Sequence, residues 1–159
     1  MFIFKVKGEA KLYGAIGRVS DALSDFRRRW RRNITIRLAH QRDWMDTQGR
    51  GSWPKLTDTY LERKSHNPKA AFVEILKFTG HLYRSLVEPG SPDSFIEEDK
   101  TRLVMGTIDP KGRLHHEGRG RLPVRRVIVI DDDERREHAE ALYESVADVA
   151  RAEGFAVMN

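Results

Sequence analysis

Two short runs in this sequence carry side chains that could bind a metal ion. The first is His115-His116-Glu117, and the second is Asp131-Asp132-Asp133-Glu134. Adjacent histidines point in divergent directions, and no third histidine follows at the spacing of a metal-binding motif. The acidic run directly precedes a predicted helix, where carboxylates accept hydrogen bonds from free backbone N–H groups. We therefore interpret the second run as a helix cap and expect neither a bound metal nor another cofactor.

The sequence contains no motif that is typical of nucleophilic catalysis or phosphate transfer. The chain of 159 residues has no cysteine, which excludes disulfides, thiolate metal sites and a cysteine nucleophile. No Ser–His–Asp order, phosphate-binding glycine loop or pair of catalytic carboxylates stands out. A metal-dependent nuclease would need a Lys or His base in register with the acidic run, and none can be placed. The sequence predicts a protein that is not an enzyme.

The most conspicuous cationic run is Phe26-Arg27-Arg28-Arg29-Trp30-Arg31-Arg32. Its arginines could bind phosphates while Trp30 stacks on a base, so a nucleic-acid-binding protein that uses residues 27–32 is the alternative interpretation. On a helix, however, Phe26 and Trp30 point to one side and most of the arginines to the other, which favours a solvated or subunit-facing basic surface. No helix-turn-helix, zinc-finger or β-ribbon pattern supports sequence-specific DNA recognition.

Charge is distributed unevenly along the chain, whose net charge is +5. Residues 1–48 carry eleven Lys and Arg against five Asp and Glu, a net of +6, and residues 131–153 carry three against nine, a net of −6. Opposite charges at the two ends suit a head-to-tail contact between copies, but the two ends could equally pair within one chain. The candidates for a subunit interface or a DNA channel are Arg27, Arg28, Arg29, Arg31, Arg32, Asp131, Asp132, Asp133, Glu137 and Glu144.

The sequence gives no sign of membrane association. The N-terminus is too short and too interrupted by lysines for a signal peptide, and no apolar run approaches the roughly 20 residues needed to span a bilayer. Acidic residues on both sides of the arginine run disfavour an amphipathic helix on a membrane surface. We expect a protein that is made in the cytoplasm.

Hydrophobic periodicity predicts one strand and several helices in the N-terminal half. Residues 2–7 alternate apolar and polar side chains as a strand does, and three glycines then mark an irregular stretch. Apolar residues at steps of three and four predict a helix of about 25 residues from Ser20 to Gly49. A helix of this length exceeds what a small core needs, so part of its apolar face is expected to contact another copy. Further helices are predicted from Thr57 to Lys64, over residues 70–78 and from Thr79-Gly80 onwards.

The C-terminal half predicts strands followed by a helix. Residues 94–98 and 101–106 are predicted strands, residues 112–120 a loop or single turn, and the β-branched run in residues 124–130 a third strand. The final helix begins at Asp131, ends at Gly154 and has Ala139, Leu142, Val146 and Val149 on its inner face. This order predicts an α+β fold in one domain over residues 1–159. In it, a long N-terminal helix and shorter helices pack on a small, mostly antiparallel sheet, and a helix ends the chain.

Four stretches, taken in order, carry a resemblance to a known family. Residues 51–59 contain the pattern W-P-x-L-x-x-T, and residues 75–86 contain I-L-x-x-T-G-x-L-x-x-S-L. Residues 115–118 contain the H-x-x-G part of an x-H-x-x-G loop, and residues 122–126 contain P-x-R. The motif positions are Trp53, Pro54, Leu56, Thr79, Gly80, Leu82, His116, Gly118, Pro123 and Arg125. Over roughly residues 20–150 the chain resembles the phage virion morphogenesis family, which includes Mu-type assembly proteins and tail-completion proteins.

The roles that we expect for the motif residues are architectural. Trp53, after a glycine-rich loop and before Pro54, would anchor the long helix to the rest of the fold. Thr79 would cap the helix that contains Leu82, and Pro123 would end a loop before the predicted third strand. None of these roles requires a substrate.

The resemblance implies a structural protein at the head–tail junction, needed for tail completion and for joining the tail to the head. It implies a homo-oligomeric ring around the DNA channel, for instance a hexamer, that contacts other phage neck and tail proteins. Arginines outside the subunit contacts could touch packaged DNA non-specifically. The protein would then belong to the virion, after assembly in the host cytoplasm, and would need no cofactor.

Overall fold

The computed structural model describes residues 9–70 and 74–155, so the strand predicted at residues 2–7 lies outside the described residues. Within them, the chain forms six α-helices and two β-strands. In chain order they are α1 (Glu9–Ser24), α2 (Trp30–Asp46), α3 (Asp58–Ser65), α4 (His81–Val87), β1 (Ser94–Glu98), β2 (Leu103–Thr107), α5 (Pro110–Glu117) and α6 (Asp132–Ala152). This is an α+β fold with a C-terminal helix, as predicted.

The N-terminal helical region is divided into α1 and α2, so the prediction of one continuous helix that begins at Ser20 is wrong. α1 includes Gly14 and Gly17, two of the three glycines that predict an irregular stretch, and Ser20 lies inside it. The helix is interrupted because the Phe26 N–H donates to the carbonyl oxygen of Lys100, 2.7 Å away in the turn between β1 and β2. Trp30 Nε1 donates to Asp99 O of the same turn at 2.7 Å. Helical periodicity cannot reveal such a tertiary contact.

The remaining helices of the N-terminal half are mostly where the sequence predicts them. α2 ends at Asp46, close to the predicted stop, and Thr57 caps α3 by accepting a hydrogen bond from the Tyr60 N–H. The helix predicted at residues 70–78 is wrong for residues 74–78, where Leu76 has a φ of 62° that an α-helix does not allow. Residues 71–73 lie outside the described ranges.

β1 and β2 form an antiparallel hairpin. Ser94 pairs with Thr107, and Glu98 pairs with Leu103. The strands predicted at residues 94–98 and 101–106 are confirmed, with the second displaced by one or two residues. The hairpin turn is the part of the molecule that contacts the break between α1 and α2.

Residues 124–130 do not form the predicted third strand, although five of these seven residues are β-branched. Their carbonyl oxygens are bound by three polar side chains on one face of α2. These bonds run from Arg37 to Val129 at 3.0 Å, from Gln41 to Val127 at 2.9 Å and from Trp44 to Arg126 at 2.7 Å. Because side chains of a helix take the place of a neighbouring strand, the described sheet has only two strands.

α5 occupies most of the stretch predicted as a loop at residues 112–120, so that prediction is wrong. Asp109 caps this helix by accepting a hydrogen bond from the Lys111 N–H at 2.9 Å, and Pro110 takes the first helical position. Gly118 ends the helix in a left-handed conformation. In the sequence, the pair Asp109-Pro110 indicates the start of a helix, but the glycines that follow it favour the prediction of a loop.

The core lies between α2, α4 and the segment that follows α5. Its buried apolar side chains are Met45, Trp53, Ile75, Leu82, Leu86, Val87 and Val127. α6 packs against α1 and α2. The buried residues of α6 are Glu134, Ala141 and Ala147, whereas Ala139 of the predicted inner face is exposed. The other three predicted positions, Leu142, Val146 and Val149, are half-buried, so the inner face is rotated from the predicted one.

A buried ion pair joins α2 to α6. Arg37 Nη1 lies 2.8 Å from Glu134 Oε1, and the two side chains are 11% and 2% exposed. Arg37 also donates to the side-chain oxygen of Gln41. His138, one turn after Glu134, lies 2.7 Å from Asn33 Oδ1 through Nδ1 and 3.3 Å from Glu134 Oε1 through Nε2. The packing of α6 therefore depends on a polar network and not on an apolar stripe alone.

Replacing Glu134 with alanine should lower the free energy of unfolding by about 3–5 kcal/mol, because Arg37 would remain buried without its counterion. Urea unfolding followed by circular dichroism measures this change. Glu140→Ala is the matched control on the exposed side of the same helix and should change stability by less than about 0.5 kcal/mol. Equal small losses in the two variants would contradict a role of the ion pair in joining α2 to α6.

Candidate functional site

The arginines of residues 27–32 do not lie on one helix, because residues 27–29 form a turn and α2 begins at Trp30. Arg27 Nε lies 2.9 Å from Asp25 Oδ1. Side-chain and backbone hydrogen bonds from Arg27 lower the pKa of Asp25 to about 2. Arg29 is half-buried and donates to the carbonyl oxygens of Asp25 at 3.0 Å and of Ser145 at 3.4 Å. These two arginines are engaged within the chain.

The other three arginines of the run, Arg28, Arg31 and Arg32, are exposed. None of them forms an ion pair with any residue in the described ranges. They form a basic surface at the start of α2. Like-charged side chains held close together on a surface favour an anionic partner.

Trp30 is not placed for stacking on a nucleic-acid base. Its indole is buried, donates to Asp99 O and lies with its ring centroid 5.6 Å from that of Phe26. Phe26 and Trp30 lie on the same side of the chain, as predicted, but a turn at residues 27–29 and not a helix brings them together. Base stacking by Trp30 is therefore not supported. Phosphate binding by the three exposed arginines remains compatible with the structure.

The acidic run at the start of α6 acts as a helix cap, as predicted. Asp131 accepts a hydrogen bond from the Glu134 N–H at 2.8 Å, and this bond together with nearby Arg50 lowers the pKa of Asp131. Asp132 and Asp133 are exposed and pair with the arginines three residues later, Arg135 at 2.7 Å and Arg136 at 3.2 Å.

The oppositely charged ends of the chain are partly paired within it. The contacts between oppositely charged groups that join α6 or its caps to residues 18–50 are Arg18–Glu153, Arg37–Glu134, Arg50–Asp131 and His40–Glu137. Of the two alternatives from the sequence, pairing within one chain therefore accounts for these four acidic residues. It does not account for Glu140, which forms no ion pair with any described residue.

The outer face of α6 carries a row of acidic residues at helical spacing, which we call the acidic row. It consists of Glu137, Glu140, Glu144 and Asp148. Glu137 lies 3.2 Å from His40, while Glu144 and Asp148 lie 3.7 and 2.9 Å from Arg151. Glu137 and Glu144 are interface candidates predicted from the sequence, whereas Glu140 and Asp148 are not, although steps of three and four along the helix from Glu137 lead to both.

The first and fourth motifs of the family resemblance are in contact. Trp53 is buried in an edge-to-face arrangement with Trp44, at 6.5 Å between ring centroids, and its Nε1 donates to Arg126 O at 3.2 Å. The buried guanidinium of Arg125 donates to Pro54 O at 2.9 Å, and its burial lowers its pKa. Trp53 thus anchors its loop to α2, as predicted.

The second and third motifs shape the ends of short helices. Gly80, and not Thr79, is the N-cap of α4, although the Thr79 hydroxyl accepts a hydrogen bond from the His81 N–H at 3.3 Å. His116 is half-buried in the last turn of α5, which Gly118 ends. Pro123 is exposed and precedes an irregular segment, so its predicted role before a strand is wrong.

A cavity of about 390 Å³, which we call the motif cavity, lies between α3, the start of α4, α5 and the segment after α5. Six of the ten motif residues line it: Leu56, Thr79, Gly80, Leu82, Pro123 and Arg125. The described lining also includes the cationic side chains of Lys55, Lys64, Lys111 and Arg121, and no Asp or Glu. Such a lining suits a group that is anionic in one part and apolar in another.

Two groups of side chains among the described residues could hold a metal ion, and neither includes the His115-His116-Glu117 run, for which the sequence predicts no metal. The first consists of His40, Asp131 and Glu134. Both of its carboxylates already accept hydrogen bonds within the chain, as described above. The second consists of His81, Asp93 and Asp109, at the open end of the hairpin.

His115 lines the motif cavity, and its Nδ1 is buried without a hydrogen-bond partner in the described residues. Burial and the positive charge of Arg125 lower the pKa of His115. As the pH falls below the usual histidine value of about 6.5, the unfolded chain binds a proton that the folded chain does not bind. Stability should therefore fall from about pH 6.5 down to the lowered pKa of the folded state.

Urea unfolding at pH 7.0 and pH 5.5 measures this effect. The wild-type protein should lose stability between the two pH values, and His115→Gln should lose less. His66→Gln, which replaces an exposed histidine of α3's C-terminal end, should keep the wild-type loss. An identical loss in the His115→Gln variant would contradict the assignment.

Gly118→Ala should destabilise the protein more than Gly120→Ala. Both glycines have positive φ, 67° and 70°, so both substitutions carry a backbone cost of about 1–2 kcal/mol. At position 118 a Cβ would also lie 2.6 Å from Val124 Cγ2, whereas at position 120 it would meet nothing within 4 Å. We expect an additional loss of about 1–3 kcal/mol for Gly118→Ala, measured by urea unfolding. Equal losses would show that the third motif does not pack on residue 124.

None of the helices in the described ranges is long and apolar enough to cross a membrane. No family model matches the chain, and neither does any curated protein or solved structure. The resemblance to phage virion morphogenesis proteins therefore depends on the four motifs alone.

Proposed function

We propose that this chain is a structural protein of the phage neck or tail end, which assembles as a homo-oligomeric ring in tail completion and head–tail joining. The observation that carries the proposal is an exposed apolar face on α1 beside the basic surface of Arg28, Arg31 and Arg32. The four motifs suggest the class of particle to which the ring belongs.

The apolar face of α1 consists of large side chains at helical spacing. Leu12, Ile16 and Leu23 are 51%, 48% and 52% exposed and lie on one side of the helix, with exposed Tyr13 at its edge. The adjacent side of α1, with buried Ala15 and Ala22, packs against α6. Contiguous exposed apolar surface marks interaction sites in soluble proteins. A second copy of the chain would remove this face from water.

Charge gives that contact an orientation. The basic surface directly follows α1, while the acidic row lies on the outer face of α6. In a head-to-tail arrangement, the basic surface of one copy meets the acidic row of the next. Contacts of this heterologous kind close into a ring when the rotation between copies divides a full circle.

The motif residues support a building role, because those with described contacts hold segments of the chain together. Arg125 and Trp53 join the loop after α2 to the segment after α5, and Gly118 allows that segment to pack on the end of α5. In the proposed ring, arginines outside the subunit contact face packaged DNA. The partners would be neighbouring neck and tail proteins, in the virion after assembly in the host cytoplasm.

Two double variants test the ring. Ile16→Glu with Leu23→Glu places charges on the apolar face, and Arg28→Glu with Arg31→Glu reverses the basic surface. Both should convert an oligomer into monomers, because they disrupt the proposed contact between copies. The changed residues are exposed, so the fold of each chain should remain intact. Multi-angle light scattering gives the mass, and negative-stain electron microscopy shows whether the wild-type oligomer is a closed ring.

The matched control is Arg63→Glu with Lys69→Glu, a reversal of the same size on exposed residues away from both surfaces. It should keep the wild-type mass. A wild-type protein that stays monomeric at every concentration, or variants that keep the oligomer, would overturn the proposal.

Filter binding to duplex DNA over a range of salt concentrations tests the alternative, a nucleic-acid-binding protein that uses the arginine run. The observation that favours this alternative is the presence of three exposed arginines that form no ion pair with any described residue. A monomeric DNA-binding protein would bind tightly, with an affinity that falls steeply with salt and is lost in the Arg28→Glu, Arg31→Glu variant. The Ile16→Glu, Leu23→Glu variant would then bind DNA like the wild type.

A further inference from the structure

A buried carboxylate oxygen lies without a partner at the open end of the β1–β2 hairpin. Asp109 is only 5% exposed. Its Oδ1 accepts the capping hydrogen bond from the Lys111 N–H, but its Oδ2 is buried and meets no donor in the described residues. A carboxylate oxygen that is withdrawn from water without a donor is energetically unfavourable, and native proteins supply it with a donor or a cation.

Two further candidate ligands lie near the Asp109 carboxylate, one at the end of the hairpin and one at the start of α4. Because Ser94 pairs with Thr107, Asp93 directly before β1 lies at the same end as Asp109 after β2. The Ile108 N–H fixes this end by donating to Asp93 O at 2.9 Å. His81, the first residue of α4, places Nε2 2.8 Å from Asp93 Oδ2. One ligand atom from each of the three side chains lies within 4.8 Å of the others.

We propose that His81, Asp93 and Asp109 bind a divalent transition-metal ion such as Zn²⁺ or Mn²⁺. One imidazole nitrogen and two carboxylate oxygens are ligands that such ions accept, whereas Mg²⁺ prefers oxygen ligands and water. A tetrahedral ion with ligands at about 2.0–2.2 Å places the ligand atoms about 3.3–3.6 Å apart, so small side-chain movements complete the site. The ion also offsets the repulsion between the two carboxylates.

The three ligands differ in mobility in a way that suits metal entry. Asp109 is held by burial and by its capping bond. The side chains of His81 and Asp93 are 36% and 37% exposed, so they can adjust and can leave a coordination position open to water. Asp93 has a φ of 64°, a left-handed conformation that aspartate tolerates better than most residues.

A metal ion at this site would connect the start of α4, the start of β1 and the N-cap of α5. Two of these segments border the motif cavity, whose lining includes His81 at the start of α4 and Lys111 in the first turn of α5. The ion would therefore fix the relative positions of α4 and α5 on either side of the cavity. This role is additional to ring formation, since the ligands lie in one chain.

The other candidate group, His40, Asp131 and Glu134, lacks an unpaired buried atom. Glu134 is bound to Arg37, and Asp131 accepts from Arg50 and from the Glu134 N–H. A metal ion there would have to displace a buried ion pair. It serves as the internal control for the experiment.

Isothermal titration of the untagged, EDTA-treated full chain with Zn²⁺, repeated with Mn²⁺, tests the proposal. We expect saturable binding of at least one of the two ions at one ion per chain. Thermal unfolding should shift to higher temperature with the same saturation, because the ion binds the folded chain preferentially.

Asp109→Asn is the decisive variant, because asparagine is as good an N-cap as aspartate but a weaker metal ligand. We expect it to keep the metal-free fold, as shown by circular dichroism, and to weaken metal binding by about tenfold or more. Asp93→Asn should do the same, since asparagine also tolerates a left-handed conformation. His40→Gln is the matched control and should bind as tightly as the wild type.

Absence of saturable Zn²⁺ and Mn²⁺ binding by the wild-type chain would overturn the proposal. So would unchanged affinity in both Asp109→Asn and Asp93→Asn, or a loss of binding confined to His40→Gln, which would place the ion at the other group.

Discussion

The fold depends on the side chains of α2 that bind the backbone of the segment between α5 and α6. Arg37, Gln41 and Trp44 lie on one face of the helix and bind successive carbonyl oxygens there. In most small α+β folds a neighbouring strand would bind these carbonyls. Because a helix does so here, the segment runs along α2 and delivers α6 to the same helix. Arg37 then pairs with Glu134, which links the two contacts in one buried network.

This arrangement separates the charges of the molecule into two groups. The buried pair of Arg37 and Glu134 joins α2 to α6, and the more exposed pairs Arg18–Glu153 and Arg50–Asp131 hold the two ends of α6 to the N-terminal half. The exposed group includes Arg28, Arg31, Arg32 and Glu140, which form no ion pair with any described residue, whereas the rest of the acidic row contacts His40 or Arg151. The exposed apolar face of α1 precedes the basic surface in the chain, and the two surfaces together are the basis of the proposed contact between copies.

The short helices and the hairpin bring segments that are distant in sequence close together in space. The turn of the hairpin interrupts the N-terminal helix, and its open end sets Asp93 beside Asp109. The four motifs, spread over more than seventy residues, meet around one cavity with a cationic lining. The motif residues described here act on loops and helix ends, where a single hydrogen bond or a single glycine decides the path of the chain.

The sequence by itself determined the features that depend on local interactions. These are the α+β class, the hairpin strands, the Thr57 and Asp131 caps and the position of α4. They follow from periodicity and from side chains that form hydrogen bonds with nearby backbone groups. The break at Phe26, the irregular conformation of residues 124–130 and the neighbouring positions of His81, Asp93 and Asp109 were decided only by tertiary structure. Each depends on a partner far away in the chain, and neither β-propensity nor helical spacing contains information about which distant group will bind a given backbone atom.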